Sequence, residues 1–401
     1  MSRTGRCIGA LGLVLCATSV AARGDVVSDQ AAAILVVPKI VVDVTNAAPQ
    51  IAPPHRIDTL IRVSNTLNAP IRLYCFYVNA TPHCTSTAEP CVSNPDMCSC
   101  LTDPVTCPRS FCKTEWNEID FRIQLTAQQP IAWLASQGAS FCSPSSDPDV
   151  PCLPLSSDSG VLGPGGQSND ESLIPPVPED PFIGELKCIA VDRNTIPIET
   201  NNLKAEVEIV RSSSGFVDVE GYNAIGIPAI PGTNNQDNVL VLGGPSAEYS
   251  PCPNLLIMDH FFDGALDPVS NKTVTTDLTL VPCSEDFATQ VTPTSTVQFL
   301  IFNEFEQRLS TSRSLTCFQE IRISDIDNAR PGIERSIFSA AVQGTLTGQT
   351  RIRGVADGSR THGNTLLGVA EEFRDGGGSA AVNLHFDGSR PQSDFIYLPG
   401  N

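Results

Sequence analysis

Leu203-Lys204-Ala205-Glu206-Val207-Glu208-Ile209 alternates apolar or small side chains with charged ones without a break. Successive side chains of a strand point to opposite faces, so this run predicts a half-buried β-strand with Leu203, Ala205, Val207 and Ile209 inward. On a helix the same residues would scatter around the axis. Phe121-Arg122-Ile123-Gln124-Leu125-Thr126 repeats the pattern, with Phe121, Ile123 and Leu125 expected in a core and Arg122, Gln124 and Thr126 in water.

Stretches of the same character recur outward from these two. Ile34–Val44 is rich in β-branched residues and reads as one strand, or a pair broken at Pro38. Ile57–Ser64 and Ile71–Val78 flank the turn-forming run Asn65-Thr66-Leu67-Asn68-Ala69-Pro70 and read as an antiparallel hairpin. Ile131–Ala135 and Ile183–Val191 complete a first set. A second set comprises Leu255–Phe261, Val274–Val281, Val297–Phe305, Leu315–Ile323, Gln349–Val355, Leu366–Ala370, Ala380–Phe386 and Phe395–Leu398. The 32 prolines and 29 glycines leave little room for long amphipathic helices. The expected fold class is all-β: two antiparallel β-sandwich-like domains with long loop insertions and a disulfide-rich segment.

The expected domains are 34–245 and 246–401, divided within a Pro/Gly/Asn-rich stretch, 227–252, that has the composition of a linker. The first domain carries a cysteine-rich insertion, 84–118, and a Pro/Ser/Gly/Asp-rich segment, 143–182, expected to be an exposed loop. Residues 1–22 read as a secretory signal peptide: Arg3 and Arg6, then the apolar run Cys7–Val20, then Val20-Ala21-Ala22. The mature chain is expected to start near Arg23, in a secreted, periplasmic or cell-envelope location, with lipidation at Cys16 as the competing outcome. No transmembrane segment is expected in the mature chain, because the one long apolar run is too short to span.

Loss of residues 1–22 leaves 23 basic against 44 acidic residues, a net charge of −21. Such a surface repels phosphate, so no nucleic-acid partner is expected, nor electrostatic docking on anionic lipid. Thirteen cysteines remain: Cys75, Cys84, Cys91, Cys98, Cys100, Cys107, Cys112, Cys142, Cys152, Cys188, Cys252, Cys283 and Cys317. An oxidising compartment makes all of them disulfide candidates, with the pairing open and one left over. Cys188 and Cys317, both in apolar strands, are the candidates for a buried free thiol. The spacings lack the paired CxxC knuckles of zinc and redox sites, and no haem-attachment or copper pattern occurs.

Catalytic signatures are absent from the sequence. There is no GxSxG elbow, HExxH helix, phosphate-binding loop or dinucleotide fingerprint, and the five histidines are dispersed. Two carboxylate pairs, Glu304/Glu306 and Glu371/Glu372, have a spacing that a glycosidase could use, but are expected to decorate solvated faces. Asp259, Asp263 and Asp267, and likewise Asp325 and Asp327, could hold Ca²⁺ through loop oxygens, without matching a regular calcium loop. No catalytic, cofactor-binding or metal residue is therefore assigned, and Ca²⁺ is the only cofactor entertained. Tyr74, Phe76, Tyr77 and Trp133 are expected in the core rather than on a sugar-stacking platform. Asn79-Ala80-Thr81 and Asn271-Lys272-Thr273 are glycosylation sequons.

The function expected is that of a secreted, non-enzymatic structural, adhesive or binding protein, with protein or glycan at the cell surface as partner. The alternative is a secreted carboxylate-based hydrolase. Intact-mass spectrometry of the protein from its native host is expected to show a start near Arg23 and reduction of six disulfides among the thirteen cysteines. A lipid-sized increment on Cys16 would instead place the chain on a membrane.

Overall fold

A computed structural model describes residue 26 and residues 29–44, 56–84, 112–114, 116–140, 173–213, 215–327, 335–355 and 364–400. These residues are almost wholly β, with one four-residue helix, Ala340–Gln343, and one 3₁₀ turn, Ile323–Asp325. Four sheets of four or five strands carry the structure, and every strand pair within them is antiparallel.

Sheet I orders its strands Ile225–Ile227, Ile34–Val42, Phe182–Val191, Ile71–Asn79 and Glu118–Leu125. Sheet II orders Phe216–Asn223, Leu203–Ser213, Arg56–Asn65 and Pro130–Leu134. The second half supplies sheet III (Gln319–Arg322, Val274–Pro282, Leu366–Arg374, Ser379–Asn383). It also supplies sheet IV (Arg308–Thr316, Thr294–Asn303, Thr347–Val355, Pro253–Phe261, His385–Ser389). A small mixed sheet joins Val239–Leu242, Asp394–Tyr397 and Glu285–Asp286, the last pair parallel.

Sheet I is the centre of the molecule because its inner strands are buried on both faces. Ile34–Val42 and Phe182–Val191 are buried at every position. One core cluster unites sheet I with the inward residues of sheet II, including Ile61, Val63, Trp133, Val207 and Ile209. The same cluster continues into the second half through Val281, Phe287, Leu367, Val369 and Ile396. A second cluster lies between sheets III and IV, with Leu278 and Leu280 against Met258, Phe299 and Ile352. Polar contacts tie sheets I and II as well: Trp133 Nε1 donates to the Tyr77 hydroxyl at 2.7 Å, and Thr59 Oγ1 donates to the Val41 carbonyl at 2.8 Å.

The alternating runs lie as their period requires, with Leu203, Val207, Ile209, Phe121, Ile123 and Leu125 at most 1% exposed. Tyr74, Phe76, Tyr77 and Trp133 are core residues. Ile34–Val42 is a single strand, the first of its two expected readings, and passes Pro38 by a register shift between Val37 and Ile40, which accommodates the missing N–H. Other local expectations are corrected. Arg56–Asn65 and Ile71–Asn79 do not form a hairpin but enter different sheets. The first alternates and suits a sheet with one wet face; the second is apolar on both sides and suits sheet I. The expected strand Leu315–Ile323 is interrupted at Cys317, whose φ is 55°. Ala380–Phe386 splits at buried Leu384, its first part pairing in sheet III and its second in sheet IV.

The linker-like stretch is built into the fold. Glu199 accepts backbone N–H bonds from Gly232 and Thr233, each at 2.6 Å, and from Asn234. Glu248 accepts from the N–H groups of Asn235 (2.8 Å) and Val241 (3.1 Å), while Leu240, Leu242 and Tyr249 enter the core. Of the segment expected as an exposed loop, residues 143–172 lie outside the described residues, whereas Leu173, Ile174 and Val177 are buried.

The face of sheet I toward the second half carries two buried lysines. Lys39, 1% exposed, pairs with Glu320 and Glu371 of sheet III. Arg211 of sheet II joins this cluster, reaching Glu371 at 3.2 Å and Glu220 at 2.6 Å. Removing one partner from a buried cluster strands the others' charges. In urea denaturation Lys39→Met is expected to cost about 3–5 kcal/mol, and replacing Lys39, Glu320 and Glu371 together by apolar residues of similar volume is expected to restore most of it.

Candidate functional site

A cavity of about 120 Å³ opens where sheets III and IV meet. Its walls come from Ile257–His260, Thr276, Ala370, Glu372 and Val382–His385, so it gathers three groups that stand out in the sequence: Asp259-His260, Glu372 and His385. The split at Leu384 creates this corner, because the chain leaves one sheet there and joins the other.

His260 is buried, and both ring nitrogens are engaged. The Phe261 carbonyl lies 2.9 Å from Nδ1, so Nδ1 carries the proton and donates. Nε2 then accepts from the Thr350 hydroxyl at 2.8 Å. Burial lowers this histidine from its ordinary 6.5 to about 4, keeping the ring neutral near pH 7. With both nitrogens committed, the ring has no lone pair to offer a metal or a substrate. Glu372 accepts from the Phe261 N–H at 3.4 Å and lies 3.8 Å from Arg374. Asp259 accepts from Gln349 Nε2 at 3.0 Å, and His385 is exposed at the rim.

The other sequence candidates are dispersed. Glu371 and Glu372 are neighbours in one strand and therefore face opposite ways. Glu372 lines the cavity, whereas Glu371 is 1% exposed among Lys39 and Arg211, not on a solvated face. Glu304 and Glu306 sit in the turn after Thr294–Asn303, not within the strand. Glu304 accepts from the backbone N–H and hydroxyl of Thr347.

The aspartates proposed for calcium make local bonds. Asp263 is fully buried and accepts from the N–H groups of Thr276 (2.8 Å) and Ser324 (3.1 Å). Asp267 accepts from Arg374 at 2.8 Å, which holds its carboxyl well below the usual range. Asp327 accepts from Ser336 and from the Ile337 N–H. Among the described residues no group of three or more His, Cys, Asp or Glu side chains fits a metal ion.

Cys75 and Cys188 stand opposite each other in sheet I and form a disulfide, so Cys188 is not the spare thiol. Cys252 pairs with Cys283, and Cys317 is a buried free thiol. Cys84 faces Cys112 in a short ladder, a backbone placement only. Cys91, Cys98, Cys100, Cys107, Cys142 and Cys152 lie outside the described residues, as does Cys16. Of the two sequons, Asn79 is buried and donates to Glu179, whereas Asn271 is exposed.

Sequence reasoning missed the buried ion clusters. Their signal was Lys39 and Lys187, each a lone lysine inside a long apolar run.

No family model matches the chain, and no curated protein matches it. The cryo-EM structure of T=1 Penaeus vannamei nodavirus aligns over 82% of this chain and 97% of its own, at 8% identity and a TM-score of 0.13. A superposition at that level carries no argument about fold or function. No helix among the described residues is long and apolar enough to cross a membrane.

His260 and Asp263 give opposite pH dependences. Below pH 6.5 an unfolded histidine binds a proton that folded His260 refuses until about pH 4, so its contribution falls as the solution is acidified. Burial raises Asp263 from 3.8 to about 6, so the folded carboxyl keeps a proton the unfolded one has lost, and its contribution falls as pH rises. Denaturation between pH 4 and 6 is expected to show His260→Gln losing stability more steeply with rising pH than wild type. Asp263→Asn is expected to show the reverse, each difference reaching about 3 kcal/mol across the window.

Proposed function

We propose that this chain is a structural, adhesive or binding protein acting outside the cytoplasm, in the extracellular space or cell envelope, on protein or glycan partners. On this reading sheets I and II form one β-sandwich-like unit and sheets III and IV another, with the boundary near residue 245. The observation that carries it is the placement of the chain's buried charges. Lys39, Lys187, Arg211 and their carboxylates sit at the junction between the halves, a use of charge that builds a frame rather than an open reaction site.

The cavity beside His260 supports the same reading. At about 120 Å³ it is well below the roughly 300–1,000 Å³ typical of small-molecule sites. Its buried histidine, His260, has both ring nitrogens committed, which leaves exposed His385 at the rim as the histidine with access to solvent. Two disulfides among the described residues and a central sheet with two strands buried at every position suit a protein that must persist in an oxidising, protease-containing environment.

The test is fractionation of the native host together with a turnover panel of glycosides, esters and peptides. Recovery of the protein in the medium or envelope fraction, without turnover, is expected. Recovery in the cytosol would sink the localisation. Turnover that is abolished in both Glu372→Gln and Asp259→Asn would establish the hydrolase alternative instead.

A further inference from the structure

Lys187 lies within sheet I with its whole side chain out of solvent. Its Nζ donates to Glu285 Oε2 at 2.6 Å, to Glu185 Oε1 at 3.0 Å and to the Pro282 carbonyl at 3.2 Å. Glu185 stands two residues away on the same strand face, while Glu285 comes from the second half, two residues beyond disulfide-bonded Cys283. The Phe287 ring, stacked on Phe76, has its centroid 5.9 Å from Nζ, and the Cys317 thiol lies 3.9 Å from the other Glu285 oxygen. Glu118 is a further acid near this group, and burial pushes its own carboxyl up to about 8.

One amine thus meets two carboxyls in a water-poor, partly aromatic enclosure. A single ammonium cannot neutralise two carboxylates, and one Glu185 oxygen has no hydrogen-bond partner. Burial pushes Glu185 up to about 8, against the pull of Lys187, so it holds a proton at neutral pH. The Lys187–Glu285 ion pair is desolvated here, which is the main cost of the arrangement. An amide between them would remove both charges.

We propose that Lys187 and Glu285 condense after folding into an intramolecular amide, with Glu185 relaying the proton. An Nζ–Oε2 separation of 2.6 Å puts the nitrogen roughly 3–3.5 Å from the Glu285 carboxyl carbon, a near-attack distance. Glu185 and Glu285 hold the Lys187 ammonium above its ordinary range against the effect of burial, so the sequence begins with an uphill transfer of one proton from the ammonium to the Glu285 carboxylate, leaving a free amine beside a neutral carboxyl. The amine lone pair forms the N–C bond. Glu185 takes a proton from that nitrogen on one oxygen and gives its own, from the other, to the departing hydroxyl. The C–O bond breaks and water leaves; the product keeps one N–H, and Glu185 ends protonated as it began. No oxidant or further reactant enters. The Lys39 cluster differs, because Arg211 shares Glu371 there, and it remains ionic.

The experiment is tryptic mapping by mass spectrometry of the full-length chain after complete reduction and denaturation. The wild type is expected to resist cleavage after Lys187 and to yield a branched peptide joining the Lys187 and Glu285 segments, lighter by one water than the two together. Lys187→Arg, which keeps the charge but does not acylate, is expected to abolish it. Glu185→Gln is expected to lower the cross-linked fraction at a fixed time after folding by about tenfold or more, the least a positioned acid–base group contributes. Separate linear peptides in the wild type, with cleavage after Lys187, overturn the proposal whether or not any variant folds. A water loss mapped to another residue overturns it equally, and undiminished linkage in Glu185→Gln removes Glu185 from the relay.

Discussion

A lysine ammonium inside an apolar interior persists only with anionic acceptors at hand, and sheet I carries two such lysines. The acceptors for Lys39, Glu320 and Glu371, lie on sheet III, and Glu285 reaches Lys187 from the small mixed sheet. All three belong to the second half of the chain. Within sheet I only Glu185 accepts from Lys187, so that face is fully compensated when the second half docks, and the second half would hold uncompensated carboxylates without it. The two halves share one core cluster, which runs from Val26 to Leu398 and reflects that dependence.

The same constraint shapes the edges. Arg211 extends the Lys39 cluster into sheet II, and Ser379 of sheet III donates to Glu220 beside it at 2.6 Å. Asn223 and Asn383 exchange hydrogen bonds where the edge strands Phe216–Asn223 and Ser379–Asn383 lie together. Two open sheet edges are thereby covered by each other rather than left to pair with another chain. Carboxylates do similar work elsewhere: Glu199 and Glu248 fasten the Pro/Gly-rich crossing between the halves, and Asp263 fastens the strand Val274–Pro282 and the 3₁₀ turn Ile323–Asp325. Many acids of this strongly acidic chain are thus structural acceptors, which accounts for candidate pairs that look catalytic in the sequence and prove to be dispersed.

The sequence by itself determined the β class and the inward face of each alternating strand. Period two is a local property: Leu203–Ile209 and Phe121–Leu125 state which side is wet without reference to any neighbour. It also marked the aromatic residues as core and Cys317 as one of two candidates for a spare thiol. Tertiary structure alone decided which strands meet. Asn65–Pro70 has the composition of a hairpin turn, yet the flanking strands separate, because burial on one face or two sorts them into different sheets. Cys75 meets Cys188 across 113 residues through ladder register, which no spacing encodes. Phe216–Asn223 was illegible because its alternation is inverted: Val217 and Val219 are exposed on this edge strand while Glu220 is buried beside Arg211. The candidate site was legible only as separate residues, since the corner at Leu384 that brings Asp259, Glu372 and His385 around one cavity exists only after two sheets have formed. Composition also could not reveal that Glu371 is buried: its charge is tolerated there only because Lys39, 332 residues away, is folded against it.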